Sequence, residues 1–208
     1  MTRSTNRSIT RSPLLWVAGL VVVAFAIALL LSGGDDAETT SSTGTETAPV
    51  DVAGEPLPML SEGTDPALGA PAPAIAGVSF DGDAVEADPG ARVYGFFAHW
   101  CPHCQRELPI VEEWLDEGLL PDGVDFLAVS TAVESGADNF PPSAWFADVG
   151  YDAAVLVDDD QGTVANAFGL SAFPFWVVTD DDGAVVARIT GGVDRTQFQA
   201  LGALALAG

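Results

Sequence analysis

The sequence predicts an α/β domain, a sheet with helices on both faces, carried on an N-terminal transmembrane helix. Three observations carry this. Short apolar runs alternate with segments of helical period between residues 92 and 169. A pair of apolar strands around a turn and one last helix follow. An apolar run without a charge stands near the N-terminus, at residues 14–31.

That run reads "LLWVAGLVVVAFAIALLL". At about 1.5 Å per residue it covers roughly 27 Å, close to a bilayer core. A buried core helix would show polar positions on one face, and this one shows none. Arg3, Arg7 and Arg11 precede it, and the first acid, Asp35, follows it. Positive flanks stay inside, so residues 1–13 are expected in the cytoplasm and the rest of the chain outside. The run exceeds a usual signal core and no A-x-A site follows, which favours an uncleaved, single-pass anchor over a signal peptide. No Cys follows it either, which excludes a lipoprotein cleavage site.

Residues 32–69 are rich in Ser, Thr, Gly, Pro and acid, with few large apolar residues. They are expected to form a disordered acidic linker. The folded domain is expected over 70–208. "AIAGVSF" and "DGDAVEA" (74–87) read as two extended pieces around Asp81-Gly82. "RVYGFFAHW" (92–100) is a buried central strand. From Pro102 to about Gly118 the pattern is helical, with Leu108, Val111, Leu115 and Leu119 at spacings of three and four. Pro109 should kink that helix. A strand (123–131), a short helix opened by proline (141–150), a strand (153–158) and a helix ending at Gly169 follow. "PFWVVTDDDGAVVARIT" is a hairpin, and Asp194 caps a terminal helix.

The formal net charge is −23, from seven Arg, no Lys and 30 acids. Residues 32–208 carry four of those Arg against all 30 acids, a net of −26. Such a surface repels nucleic acid and anionic headgroups, so no nucleic-acid partner is expected; the acidity reads as solubility. "DDDQG" (158–162) and "DDDG" (180–183) lack the glycine and glutamate spacing of an EF-hand and read as turns.

The chemistry concentrates in "FFAHWCPHCQRELP" (96–109), which holds both cysteines, Cys101 and Cys104, and both histidines, His99 and His103. C-x-x-C after a strand and at a helix start puts Cys101 where unpaired N–H groups and the helix dipole favour a thiolate. Cys104, one turn later, can resolve a mixed disulfide formed on Cys101. A protonated His103 would stabilise the Cys101 thiolate further, and Pro102 fits the first helical position. A disulfide spanning so short a loop stabilises little, and zinc would need two more ligands. A copper site of two Cys and one His is the remaining metal alternative. His99 reads as a solvated loop residue. No metal and no cofactor are expected.

These residues resemble the thioredoxin-fold family of TlpA/ResA-like membrane-anchored thiol-disulfide oxidoreductases over about Ala70 to Gly208. The likeness rests on "GFFAHWCPHCQRELP", with Trp100 before the first Cys and Pro109 after the second. It rests also on "FGLSAFPFWVVTDDDGAVVARITGG" and on the anchor with its linker. It implies a thioredoxin-like fold, a central mixed sheet flanked by helices. It also implies that Pro174 is a cis-proline facing the active site and that Phe173 offers backbone hydrogen bonds to a substrate strand. Trp100, Pro102 and His103 would tune the redox pair. The CPHC motif is also similar to that of DsbA-type oxidases, but the 73 residues from Cys101 to Pro174 leave no room for their helical domain. Gly95 stands where thioredoxin has a buried acid, so Glu107 or a water is the remaining proton acceptor for Cys104. Phe173 is bulkier than the usual residue before the cis-proline.

The expected function is disulfide exchange outside the cytoplasm on exported protein thiols and disulfides, leaning towards oxidation, with an unidentified membrane or extracytoplasmic redox partner. A reductant for cytochrome c maturation and a copper metallochaperone without redox catalysis are the alternatives.

Overall fold

The computed structural model describes residues 45–208. The apolar run 14–31, the residues before it and residues 32–44 lie outside the described residues. No helix among the described residues is long and apolar enough to cross a membrane.

In chain order the elements are β1 (Asp51–Ala53), β2 (Ala74–Val78), β3 (Ala84–Ala87), β4 (Arg92–Phe97), α1 (Pro102–Asp116) and β5 (Asp125–Ser130). Then come α2 (Pro142–Asp148), β6 (Val155–Val157), α3 (Thr163–Ala167), β7 (Phe175–Thr179), β8 (Val185–Thr190) and α4 (Arg195–Ala205). Five strands make a mixed sheet in the order β6-β5-β4-β7-β8. β4, β5 and β6 run parallel, whereas β7 and β8 are antiparallel to their neighbours. β1, β2 and β3 form a separate antiparallel sheet.

Alternation along the strands divides the core into two layers. Val93, Phe97, Ala128, Trp176 and Val178 face α1 and α4, meeting Leu108, Val111, Trp114, Phe198 and Leu201. Tyr94, Phe96, Leu127, Val129, Phe175 and Val177 face α3, the β2–β3 hairpin, Leu57 and Ala67. The second face is therefore covered by one short helix, as the pattern predicted, and also by a small sheet that includes the two extended pieces at 74–87. α1 continues through Pro109 as one element. Its C-terminus closes with bonds from Gly118 N–H to Leu115 O and from Leu119 N–H to Trp114 O. Asp194 caps α4 in a capping box with Gln197, as the sequence predicts. The aspartate runs are turn chemistry: Asp158 accepts from Val164 N–H, Ala165 N–H and Thr131 Oγ1, and Asp180 accepts from Ala184 N–H.

The expected linker over 32–69 requires correction. Residues 45–69 belong to the domain, which therefore extends N-terminal of residue 70 at least as far as Thr45. β1 pairs with β2, and Leu57 and Leu60 donate backbone bonds to Ala167 O and Gly169 O. Ala48, Leu57 and Ala67 are buried. Asp65 forms a two-pronged ion pair with the buried Arg188, whose Nη1 also donates to Pro58 O and Phe168 O. Local composition misreads this stretch because several of its partners, Arg188 for Asp65 and the Ala167 and Gly169 carbonyls for Leu57 and Leu60, lie more than a hundred residues away.

Candidate active site

β4 ends at Phe97, and Ala98 to Trp100 form a short loop where the sequence pattern extends the strand to residue 100. Cys101 is the N-cap of α1, with extended backbone, and its carbonyl accepts from Gln105 N–H. Pro102 occupies the first helical position. The register Phe96↔Phe175 places the start of β7 beside the end of β4. This brings the cis bond between Phe173 and Pro174 to the cysteines. The Cys101 thiol donates towards Phe173 O at 4.0 Å. Trp100 packs edge-on against Phe173 with ring centroids 5.8 Å apart, and its Nε1–H donates to Ala132 O. The two cysteines, Trp100, Phe173 and Pro174 thus lie together at one end of the sheet.

Both cysteines are free thiols. Cys101 is 6% exposed and Cys104 fully enclosed. Burial, first, and then the neighbouring Cys101 and Glu107 push the Cys104 thiol far above its ordinary value. Glu107 lies three residues beyond Cys104 on the same helix face and is itself buried. Its Oε1 accepts from Val193 N–H at 2.6 Å. Burial also raises the Glu107 carboxyl, against the pull of the Val193 N–H, His103 and Arg106. Gly192 makes this placement possible, because a Cβ there would stand 2.7 Å from Glu107 Oε2. At Gly95 an acid is sterically excluded: a Cβ would meet the Phe97 and Phe126 rings at 2.8 and 2.9 Å. The buried carboxylate of this site therefore comes from α1, not from the preceding strand.

The histidines depart from expectation. His99 is buried, not solvated, at 1% exposure. Its Nε2 accepts from Glu134 N–H at 3.0 Å, so Nδ1–H donates to Asp138 O at 2.7 Å. It pins the 132–139 loop beside the motif, and Asn139 and Gln105 both donate to its carbonyl. His103 is exposed, and its Nδ1 lies 3.0 Å from Arg106 Nη2. Arginine has only donors, so Nδ1 of His103 is the acceptor in this contact. The fixed positive charge on the first turns of α1 sits on Arg106, a residue the motif reading passed over. Both nitrogens of His99 and Nδ1 of His103 are thus engaged with protein groups, not directed at the sulfurs. Leu60 to Gly63, Ser171, Ile189 and Thr190 line an open groove of about 590 Å³, formed in part by residues next in sequence to Gly191, whose N–H donates to Pro174 O.

The profile of the Redoxin family matches residues 67–204. A thiol:disulfide interchange protein, a DsbE homolog of Paracoccus denitrificans (strain Pd 1222), is 28% identical over 136 residues, 63% of this chain and 70% of that one. The thiol-disulfide oxidoreductase ResA of Geobacillus thermodenitrificans (strain NG80-2) is 30% identical over 109 residues. That match covers 50% of this chain and little more than half, 56%, of the relative. A thioredoxin-family thiol:disulfide interchange protein of Chlorobium tepidum TLS superposes with a TM-score of 0.54 at 23% identity. It covers 65% of this chain and 94% of its own. The last comparison establishes the fold as thioredoxin-like.

Proposed function

Since the chain belongs to the Redoxin family and is a thioredoxin-like thiol-disulfide oxidoreductase, we propose that it works outside the cytoplasm as a membrane-anchored oxidant of exported protein thiols. The observation that carries the reading is Cys101 at the N-cap of α1, its thiol directed at the carbonyl before cis-Pro174, with Cys104 enclosed behind it.

In the oxidising direction a substrate thiolate attacks Cys101 Sγ of the disulfide. The Cys101–Cys104 bond breaks and a mixed disulfide forms. Cys104 leaves as a thiolate in a site that disfavours that charge, and the Glu107 carboxyl supplies its proton. The substrate's second thiolate then attacks the mixed disulfide and expels the Cys101 thiolate. Two electrons pass to the protein. Cys101 stands at the N-cap of α1, and that placement is what leans the reading towards the oxidising direction. Phe173 and the groove at Ile189 and Thr190 present the substrate segment.

The reductant reading runs the same steps backwards. It is favoured by the Cys104–Glu107 pair, since a buried base is what a resolving thiol needs. The reduction potential decides: a value near −120 mV supports the oxidant, and a value near −270 mV overturns it. The anchor rests on residues 14–31 and the Arg-rich start. Full-length protein in the membrane fraction, with its cysteines open to an impermeant thiol reagent on intact cells, supports that placement. A shortened soluble product sinks it.

A further inference from the structure

We propose that Glu112, Asp116 and Asp152 form a binding site for a hard divalent cation of the size of calcium. The carboxylate oxygens of the three residues lie within 4.8 Å of one another. That is about twice a calcium–oxygen distance of roughly 2.4 Å, so one ion reaches all three, and waters complete its shell. Glu112 and Asp116 stand four apart on α1 and share a face; Asp152 comes from the loop between α2 and β6. The site is graded: Asp116 and Asp152 are exposed at its rim, while Glu112 at its base is only 7% exposed.

Glu112 is the second, independent sign of a ligand. Its Oε2 is enclosed and has no hydrogen-bond partner. A buried carboxylate oxygen without a donor is costly, and two further carboxylates beside it raise the cost. No cationic side chain relieves it, because each of the four arginines among the described residues is engaged elsewhere. Arg92 pairs with Asp125, Arg106 with His103, Arg188 with Asp65 and Arg195 with Glu117. A divalent ion from solvent answers all three oxygens at once and ties the α2–β6 loop to α1. It stands eight residues, roughly 12 Å, along the helix from Cys104, clear of the redox pair.

The test titrates the full chain, stripped with EDTA and reduced, with CaCl₂ and with MgCl₂ in ~0.5 M KCl, which screens the diffuse acidic surface. Calorimetry is expected to give one saturable calcium per chain, bound at least tenfold more tightly than magnesium. Calcium is expected to raise the wild-type Tm. Glu112→Gln should abolish both responses, and Asp116→Asn and Asp152→Asn should each weaken binding at least tenfold. If Glu112→Gln does not fold, the two rim variants carry the test. Absence of saturable calcium binding, a preference for magnesium, or calcium affinity unchanged in the variants overturns the proposal.

Discussion

Replacing Asp65 by Asn tests whether residues 45–69 are part of the fold. Asp65 has a side chain 10% exposed and Arg188 one that is fully buried, and the pair shares two hydrogen bonds. The Asn side chain keeps the shape but removes the charge, leaving a buried guanidinium without its counter-ion. Breaking one partner of such a pair costs about 3–5 kcal/mol. For a domain of this size about 1 kcal/mol corresponds to ~2–4 °C, so the Tm should fall by roughly 6–20 °C. The pH dependence has a definite sign. The Arg188 side chain, first, holds the Asp65 carboxyl below its ordinary value. The stability it contributes is therefore full above about pH 4 and is lost as pH falls through the lowered folded value. Asp65→Asn should remove that part of the acid dependence. The assay is urea unfolding of the full chain at pH 7 and across pH 2–5, followed by circular dichroism. A loss below about 0.5 kcal/mol, the level of an ordinary surface substitution, would mean that the segment does not hold the domain together.

Three further outcomes follow from the site. Cys104→Ser should accumulate a mixed disulfide through Cys101 with a disulfide substrate, whose other sulfur leaves as a thiol, seen as a mass adduct, whereas Cys101→Ser should capture none. Glu107→Gln should slow insulin reduction or RNase refolding by about a hundredfold or more. Its stability should hold or rise, since the Glu107 carboxyl is raised by burial and costs stability above the ordinary carboxylate value. A parallel loss of rate and stability would contradict the proton-transfer role. The third concerns alkaline unfolding of the reduced protein. The Cys104 thiol is raised in the fold, so its contribution is complete below about pH 8.5 and shrinks as pH climbs, by up to about 1.4 kcal/mol per unit. Reduced wild type should lose stability between pH 9 and 10.5 relative to Cys104→Ser, and equal slopes would refute the burial effect.

The placement of Cys101 and Cys104 was legible because its signal is local: a strand, two cysteines at C-x-x-C spacing and a helix start adjoin in sequence. The hairpin after Pro174 and the Asp194 cap were legible for the same reason, turn and cap chemistry being written within a few residues. What escaped depends on distant partners. Asp65 looks like any linker acid until Arg188 is placed beside it. His99 looks solvated until Glu134 and Asp138 fold over its ring. Gly95 as a vacancy is readable in the strand, but the carboxylate's arrival from Glu107 depends on α1 docking against Gly192 and Val193. The lack of an acidic residue in β4 was the one sequence clue to that exchange.

Docking of residues 45–69 onto the domain also changes how far the enzyme can search. If residues 14–31 span the membrane, 38 residues (32–69) would have allowed a contour of about 130 Å, at ~3.5 Å each. With the domain reaching back at least to Thr45, no more than 13 residues (32–44) can remain, about 45 Å at most. The volume open to the attachment point scales as the cube of that length, so it shrinks by roughly 25-fold. Membrane-bound partners and chains emerging at the bilayer then meet Cys101 at a correspondingly higher effective concentration, while proteins free in the surrounding medium gain nothing. Substrate choice would be set as much by altitude above the lipid as by the groove at Ile189 and Thr190.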